Sequence, residues 1–214
     1  MKSILIAGIS FFLFSTAFAQ TDKYMNAMKA NVAAIDTAFK NPQSLLTLAS
    51  SFERIAEKEK SQWLPYYWAA FCQVNYTYMV EDKSKTDPIA DKAEQLLNKA
   101  DSLQPDNSEI SCVYSMIASA RMLVDPMTRY MQYGMKSGTY LEKAISQNPD
   151  NPRPYYLRGQ GLRYTPEQFG GGCKPALEDL NTAAEKFKIF KPASDIDPNW
   201  GEARTTMLIN ECSK

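Results

Sequence analysis

The stretch TPEQFGGGCKPALEDL, residues 165–180, sets three glycines, a cysteine and a lysine in front of an amphipathic run. Backbone N–H groups of a glycine loop can cradle a phosphate when the pattern is G-x4-G-K-[ST] and a strand leads into it. Here the glycines are consecutive, Cys173 separates them from Lys174, and Pro175 stands where the magnesium-binding hydroxyl belongs. The preceding PRPYYLRGQGLRY has helical periodicity. The stretch therefore reads as a turn between two helices, with glycine ending the first and proline opening the second.

Other chemistry is thin. The chain has no histidine, which removes the usual general base, the Ser-His and Cys-His nucleophile pairs, and most zinc sites. Carboxylates such as Glu57, Glu59, Asp101, Asp106, Glu109, Glu178 and Asp179 fall on polar helix faces or in caps and form no catalytic couple. No catalytic residue, metal site or cofactor is expected. Lys+Arg and Asp+Glu are both 24, so no strong field draws in nucleic acid. Cys72, Cys112, Cys173 and Cys212 lack CxxC spacing, which leaves structural bridges or buried thiols. Cys173 with Cys212 is the favoured pair, pinning the last helix; Cys72 and Cys112 can pair with each other or stay free.

The elements that must position these residues are helices. Apolar residues recur at i, i+3, i+4 and i+7 through about nine segments, at 22–39, 42–60, 63–80, 87–104, 107–124, 128–147, 152–164, 174–190 and 199–212. Proline stands early in several of them, with Asp87 before Pro88 as an expected cap. Short loops between them predict helical hairpins stacked side by side. Residues 1–19 carry an early lysine, an apolar run from Ile4 to Phe14, and Ala17 and Ala19. That is the pattern of a secretory leader cleaved after Ala19, which implies an exported, periplasmic or secreted protein with no membrane span in the mature chain.

Lining up alternate helices shows a repeated spacing. Ala93, Leu97, Ala100 and Pro105 are echoed by Ser137, Leu141, Ala144 and Pro149, and then by Ala176, Leu180 and Ala183 with Pro198 after an insertion. This array resembles the second-helix half of the tetratricopeptide repeat. The first-helix half is represented by Phe71, Val74, Asn75 and Tyr78, and by Tyr155, Arg158, Gly159 and Leu162. The resemblance implies an all-α, right-handed solenoid of antiparallel helix hairpins with enlarged loops at 81–86, 122–129 and 165–172. Residues 20–214 would form one domain, with 20–62 as a capping pair and 63–214 as repeat units plus a C-terminal helix.

Aromatic residues Trp63, Tyr66, Tyr67, Trp68, Phe71, Tyr76 and Tyr78 surround one helix, more than one buried stripe absorbs. The family resemblance places the first helices of the pairs on a concave surface. It thereby implies a groove with Tyr67, Tyr78, Tyr156, Gln160, Arg163 and Tyr164 as binding residues. The expected function is a non-catalytic scaffold that holds a protein or peptide of the cell envelope. The alternative is a small-molecule-binding accessory of an envelope transport system, told apart by an enclosed pocket rather than an open groove.

Overall fold

The computed structural model describes residues 22–213, so the leader and its cleavage point lie outside the described residues. Among them are α1 (22–33), α2 (Ile35–Ala38), α3 (Pro42–Lys58), α4 (Trp63–Met79), α5 (Thr86–Leu103) and α6 (Ser108–Met122). These are followed by α7 (Pro126–Arg129), α8 (Met135–Gln147), α9 (Pro152–Tyr164), α10 (Cys173–Ile189) and α11 (Glu202–Cys212). Apart from the short α2 and α7, each corresponds to one of the expected segments.

Local chemistry sets the helix starts. Asn41, Asn107 and Asn151 each accept a backbone N–H from the next turn, and Pro42 and Pro152 follow the first and third of them. These caps satisfy donors that a helix cannot pair internally. Two boundaries differ from expectation. Asp82 accepts the N–H of Ser84 and starts a short 3₁₀ turn, Lys83–Lys85, so α5 begins at Thr86 and Asp87 lies inside its first turn. Freed from capping, the Asp87 carboxylate takes a bidentate contact from Arg129, at 2.8 and 2.9 Å. The segment expected as one helix over 128–147 is instead α7, a π-helical turn at Tyr130–Gly134, and α8.

The Ala-Leu-Ala spacing is a packing code. Ala93, Leu97 and Ala100 on α5, Ser137, Leu141 and Ala144 on α8, and Ala176, Leu180 and Ala183 on α10 are all buried. Small residues let these helices approach α4, α6 and α9 closely, and each leucine fills the space between. α4 packs between α3 and α5, while α6 packs on α8 and α9 on α10. A large apolar cluster runs from α1 to α6, and a smaller one joins α9, α10 and α11.

The tetratricopeptide solenoid is not what these helices build. In a solenoid each unit touches its neighbours alone. Here the chain after α10, residues 190–201, turns back across the inner helices to the N-terminal cluster. The Trp68 indole donates to the Ile196 carbonyl at 2.8 Å, across 128 residues. The Trp200 indole donates to the Tyr67 hydroxyl at 2.8 Å, across 133. Lys29 pairs with Asp195 at 2.8 Å, and Ile196 is buried in the first cluster. What the repeat alignment takes as an insertion before Pro198 is a closing strap over the surface that a solenoid would leave open.

The glycine-rich loop is a turn. Glu167–Phe169 forms a 3₁₀ turn, and Gly170 and Gly172 hold positive φ of 82° and 97°. The Gly172 N–H donates to the Leu162 carbonyl at 2.9 Å, folding the loop onto the end of α9. A Cβ at Gly171 would lie 2.0 Å from the Thr165 carbonyl oxygen. Cys173 then opens α10 and is bridged to Cys212, with Cα atoms 5.2 Å apart. Cys72 and Cys112 are free and buried.

The bridge closes a loop with a sequence separation of 39 residues. Cys173→Ser is expected to lower the unfolding free energy by about 4 kcal/mol, measured by urea denaturation against the oxidised wild type. Native protein should leave Cys72 and Cys112 unlabelled by a thiol reagent, because burial pushes both thiols up. Denaturation should expose two thiols and added reductant four, counted by mass.

Candidate functional site

The most deeply buried helices are α4, α6 and α9, and α6 and α9 meet beneath the strap. Arg153, in the first turn of α9, has 0% exposure. Its guanidinium donates to Glu109 Oε1 at 2.9 Å and to the Pro198 carbonyl at 2.6 Å. Its Cζ lies 4.6 Å from the Phe190 ring centroid and 5.2 Å from that of Trp200. Asn151 donates to Glu109 Oε1 at 2.9 Å and to Ser108 at 3.0 Å, so the α9 cap residue also ties α9 to α6. Glu109 Oε2 and Arg153 Nε are buried without a hydrogen-bond partner. Burial pushes the Glu109 carboxyl above its ordinary value, and Arg153 opposes only part of that.

Trp200 carries the strap onto the aromatic helix. It lies 5.0 Å from Phe71 and 6.2 Å edge-on to Tyr156. The next residue, Gly201, has φ of 110°, and a Cβ there would stand 2.9 Å from Phe187 and 3.4 Å from Tyr156. Only glycine lets the chain leave the strap so close to these rings and enter α11.

The strap divides the inner face. Its contacts fall on Tyr67, Trp68, Phe71, Arg153 and Tyr156, in the N-terminal halves of α4 and α9. Tyr67 is fully buried there, and burial pushes its phenol far up. It belongs to the core and does not line a groove. Four of the six residues singled out from sequence, Tyr78, Gln160, Arg163 and Tyr164, lie toward the C-terminal halves, and Tyr156 stands between them and the strap. Tyr78 is half-buried and donates to the Met116 carbonyl at 2.6 Å. Tyr156 is 7% exposed. Burial raises its phenol to about 12 against a lowering influence from Arg204, with Tyr164, Gln160 and Tyr78 also within electrostatic or hydrogen-bonding reach.

The rim of this face is a phenol between two guanidinium groups. Tyr164, 57% exposed at the end of α9, accepts from Arg204 of α11 at 2.5 Å. The Arg163 Cζ lies 5.8 Å from the Tyr164 ring centroid, and Arg163 Nε is buried without a partner. The sequence does not single out Arg204. Its α11 position comes to the face because α11 leaves Gly201 beside Tyr156 and is bridged at Cys212 to the start of α10. The flat rings and paired guanidinium groups suit an extended aromatic ligand bearing carboxylates.

Other features offer less. A cleft of about 1150 Å³ lies between α1 and α3, lined by Lys23, Tyr24, Arg54, Ile55, Lys58 and Glu59 among others. It is wide open, and charges of both signs line it without converging on a point. Among the described residues no group of three or more His, Cys, Asp or Glu could hold a metal ion. No helix among them is long and apolar enough to cross a membrane.

No protein-family model matches the sequence, and no curated protein does so either. Among solved structures, the HusA haemophore from Porphyromonas gingivalis is 39% identical, with a TM-score of 0.80, across 88% of this chain and 92% of that one. The tetratricopeptide resemblance is thereby corrected: the all-α fold is that of the haemophore. The expectation of a tetratricopeptide scaffold goes with it.

The Arg153 network yields a test of its own. Arg153→Met should cost about 3–5 kcal/mol by leaving the Glu109 charge uncompensated, and Glu109→Gln in the same chain should recover part of it. Because burial raises Glu109, the folded chain holds that proton to higher pH than the unfolded one. Stability from this group is therefore fullest below its ordinary value of 4.5 and falls as pH rises through the higher folded value. Denaturation of wild type and Glu109→Gln across pH 4 to 8 should show the downward slope in wild type alone, roughly 1.4 kcal/mol per unit of raised pKa.

Proposed function

The chain belongs to the family of the HusA haemophore and is a non-catalytic, exported, all-helical protein; from that premise we propose that it binds haem on the open half of its inner face. In this reading the leader is removed after Ala19 and the mature chain works in the periplasm or the medium, as a haem-carrying accessory of an envelope transport system.

The observation that carries the proposal is the 39% identity to a haemophore over nearly the whole length of both chains. The geometry suits the same ligand. A porphyrin is a flat apolar ring with two carboxylates on one edge. Tyr78 and Tyr164 give aromatic surface from two helices, with the buried Tyr156 ring beneath them, and Arg163 with Arg204 gives two guanidinium groups at the rim. Gln160 lies within reach of the Tyr156 phenol and adds a polar group between floor and rim. An extended peptide is served less well, because the strap fills the other half of the inner face.

Titration of the mature protein with haemin, followed at the Soret band, should saturate at one haem per chain. Arg163→Ala with Arg204→Ala should weaken binding by at least about tenfold, each lost charge-assisted contact being worth roughly 1.5–3 kcal/mol when well formed. A non-saturating response, or equal affinity in the double variant, would remove the haem assignment from this face.

A further inference from the structure

Resting on the haem reading above, we infer that the Cys173–Cys212 bridge is a redox site that governs release of the cargo: a dithiol that reduces it frees α11 and withdraws Arg204 from the rim. The haem reading itself asks only for charge at the rim. Control by the bridge follows from how little else holds α11.

α11 has 11 residues, below the length at which a helix is stable on its own in water. Gly201 stands at its N-cap and has no side chain to cap it, and only Thr205 and Leu208 are buried. The bond from Cys212 to the first residue of α10 fixes the last turn. Without it the helix keeps two small anchors and frays. Arg204 is shared between the Tyr164 hydroxyl at 2.5 Å and Glu211 at 3.8 Å. Glu211 directly precedes Cys212, so the bridge also fixes the second group on which Arg204 rests.

The bridge is placed to be reduced. Cys173 and Cys212 are both partly exposed, whereas Cys72 and Cys112 have no exposure. Cys173 opens α10, Gly172 offers no side chain to the N–H groups of that first turn, and Lys174 follows. Sulfur leaving from this position carries its negative charge at the positive end of a 17-residue helix. Cys212 stands at the C-terminal end of α11, after Glu211, where negative charge is disfavoured. Cys173 is therefore the better leaving group, and an incoming thiolate attacks Cys212 Sγ.

One thiolate of the dithiol forms a mixed disulfide with Cys212 as the Cys173–Cys212 bond breaks. The second sulfur, deprotonated, then attacks the reductant's own sulfur in that mixed disulfide, closes the dithiol's disulfide and releases Cys212. Two electrons pass to the bridge. Of the dithiol's two protons, one ends on Cys212 and the other reaches solvent while Cys173 stays a thiolate.

The test measures haemin and metal-free protoporphyrin IX on oxidised wild type and on Cys173→Ser with Cys212→Ser, each with and without Arg204→Ala. Opening the bridge should weaken binding of both ligands about three- to tenfold, the cost of ordering a long side chain on binding. In the Arg204→Ala background the same change should make no difference, because the bridge acts through that side chain. Dithiothreitol added to native wild type should lower its affinity for protoporphyrin IX by the same factor. Brief alkylation should then label Cys173 before Cys212 and leave Cys72 and Cys112 untouched. Labelling of Cys212 first overturns the assignment of the leaving sulfur. Equal affinity with and without the bridge overturns the inference while the haem reading stands. So does an equal loss in the Arg204→Ala background, or a circular dichroism spectrum showing that the reduced chain has unfolded. If oxidised wild type binds neither ligand, the haem reading falls and the inference with it.

Discussion

A buried guanidinium organises this fold. Arg153 has no exposure, and removing such a charge from water is costly unless its geometry and partners compensate. Compensation comes from three directions. α6 supplies the Glu109 carboxylate, the strap supplies the Pro198 carbonyl, and the rings of Phe190 and Trp200 flank the guanidinium. None of these contacts is local, since Glu109 lies 44 residues away and Pro198 45. The pair thus constrains where the strap lies more than it adds to stability. With the Pro198 carbonyl fixed, Trp200 is brought to Tyr67 and Ile196 to Trp68.

That constraint decides what kind of surface the molecule has. Parallel inner helices of a repeat stack would present a long groove, open end to end. Anchoring the strap at Arg153 closes the N-terminal halves of α4 and α9 and leaves the C-terminal halves as a short aromatic face. The same chain segment then turns at Gly201 into α11, which carries Arg204 onto the rim. One interaction therefore sets both the floor, through Trp200 against Tyr156, and the charge, through Arg204 at Tyr164.

Much of the secondary structure was legible because its causes are local. Asn-Pro at 41–42 and 151–152 and the buried Ala-Leu-Ala spacings mark helix starts and packed faces within a few residues. The π turn at Tyr130–Gly134 was not, since a run of helical periodicity gives no sign of one added residue in a turn. The strap was invisible for a different reason. Residues 190–201 have neither period, and their partners lie more than 100 residues away at Tyr67 and Trp68. Reading the Ala-Leu-Ala array as a repeat then followed naturally. The spacing reports how two helices touch, and any hairpin packed through small residues can share it. Tyr156, Gln160, Arg163 and Tyr164 share one side of α9 by their spacing alone, whereas the burial of Tyr67 required knowing where the strap runs.

The disulfide completes the same logic from the other end of α11. Short and half exposed, α11 buries only Thr205 and Leu208, which is little apolar area to hold a helix in place. Gly201 fixes its start against Tyr156 and Phe187, and Cys212 fixes its end to the first residue of α10. Between those two anchors Arg204 has little freedom to leave Tyr164. A rim charge held by a helix with two fixed ends is preorganised, so binding a carboxylate there need not order a loop or a free side chain. The bond that an oxidising compartment permits thus also helps to hold Arg204 beside Tyr164.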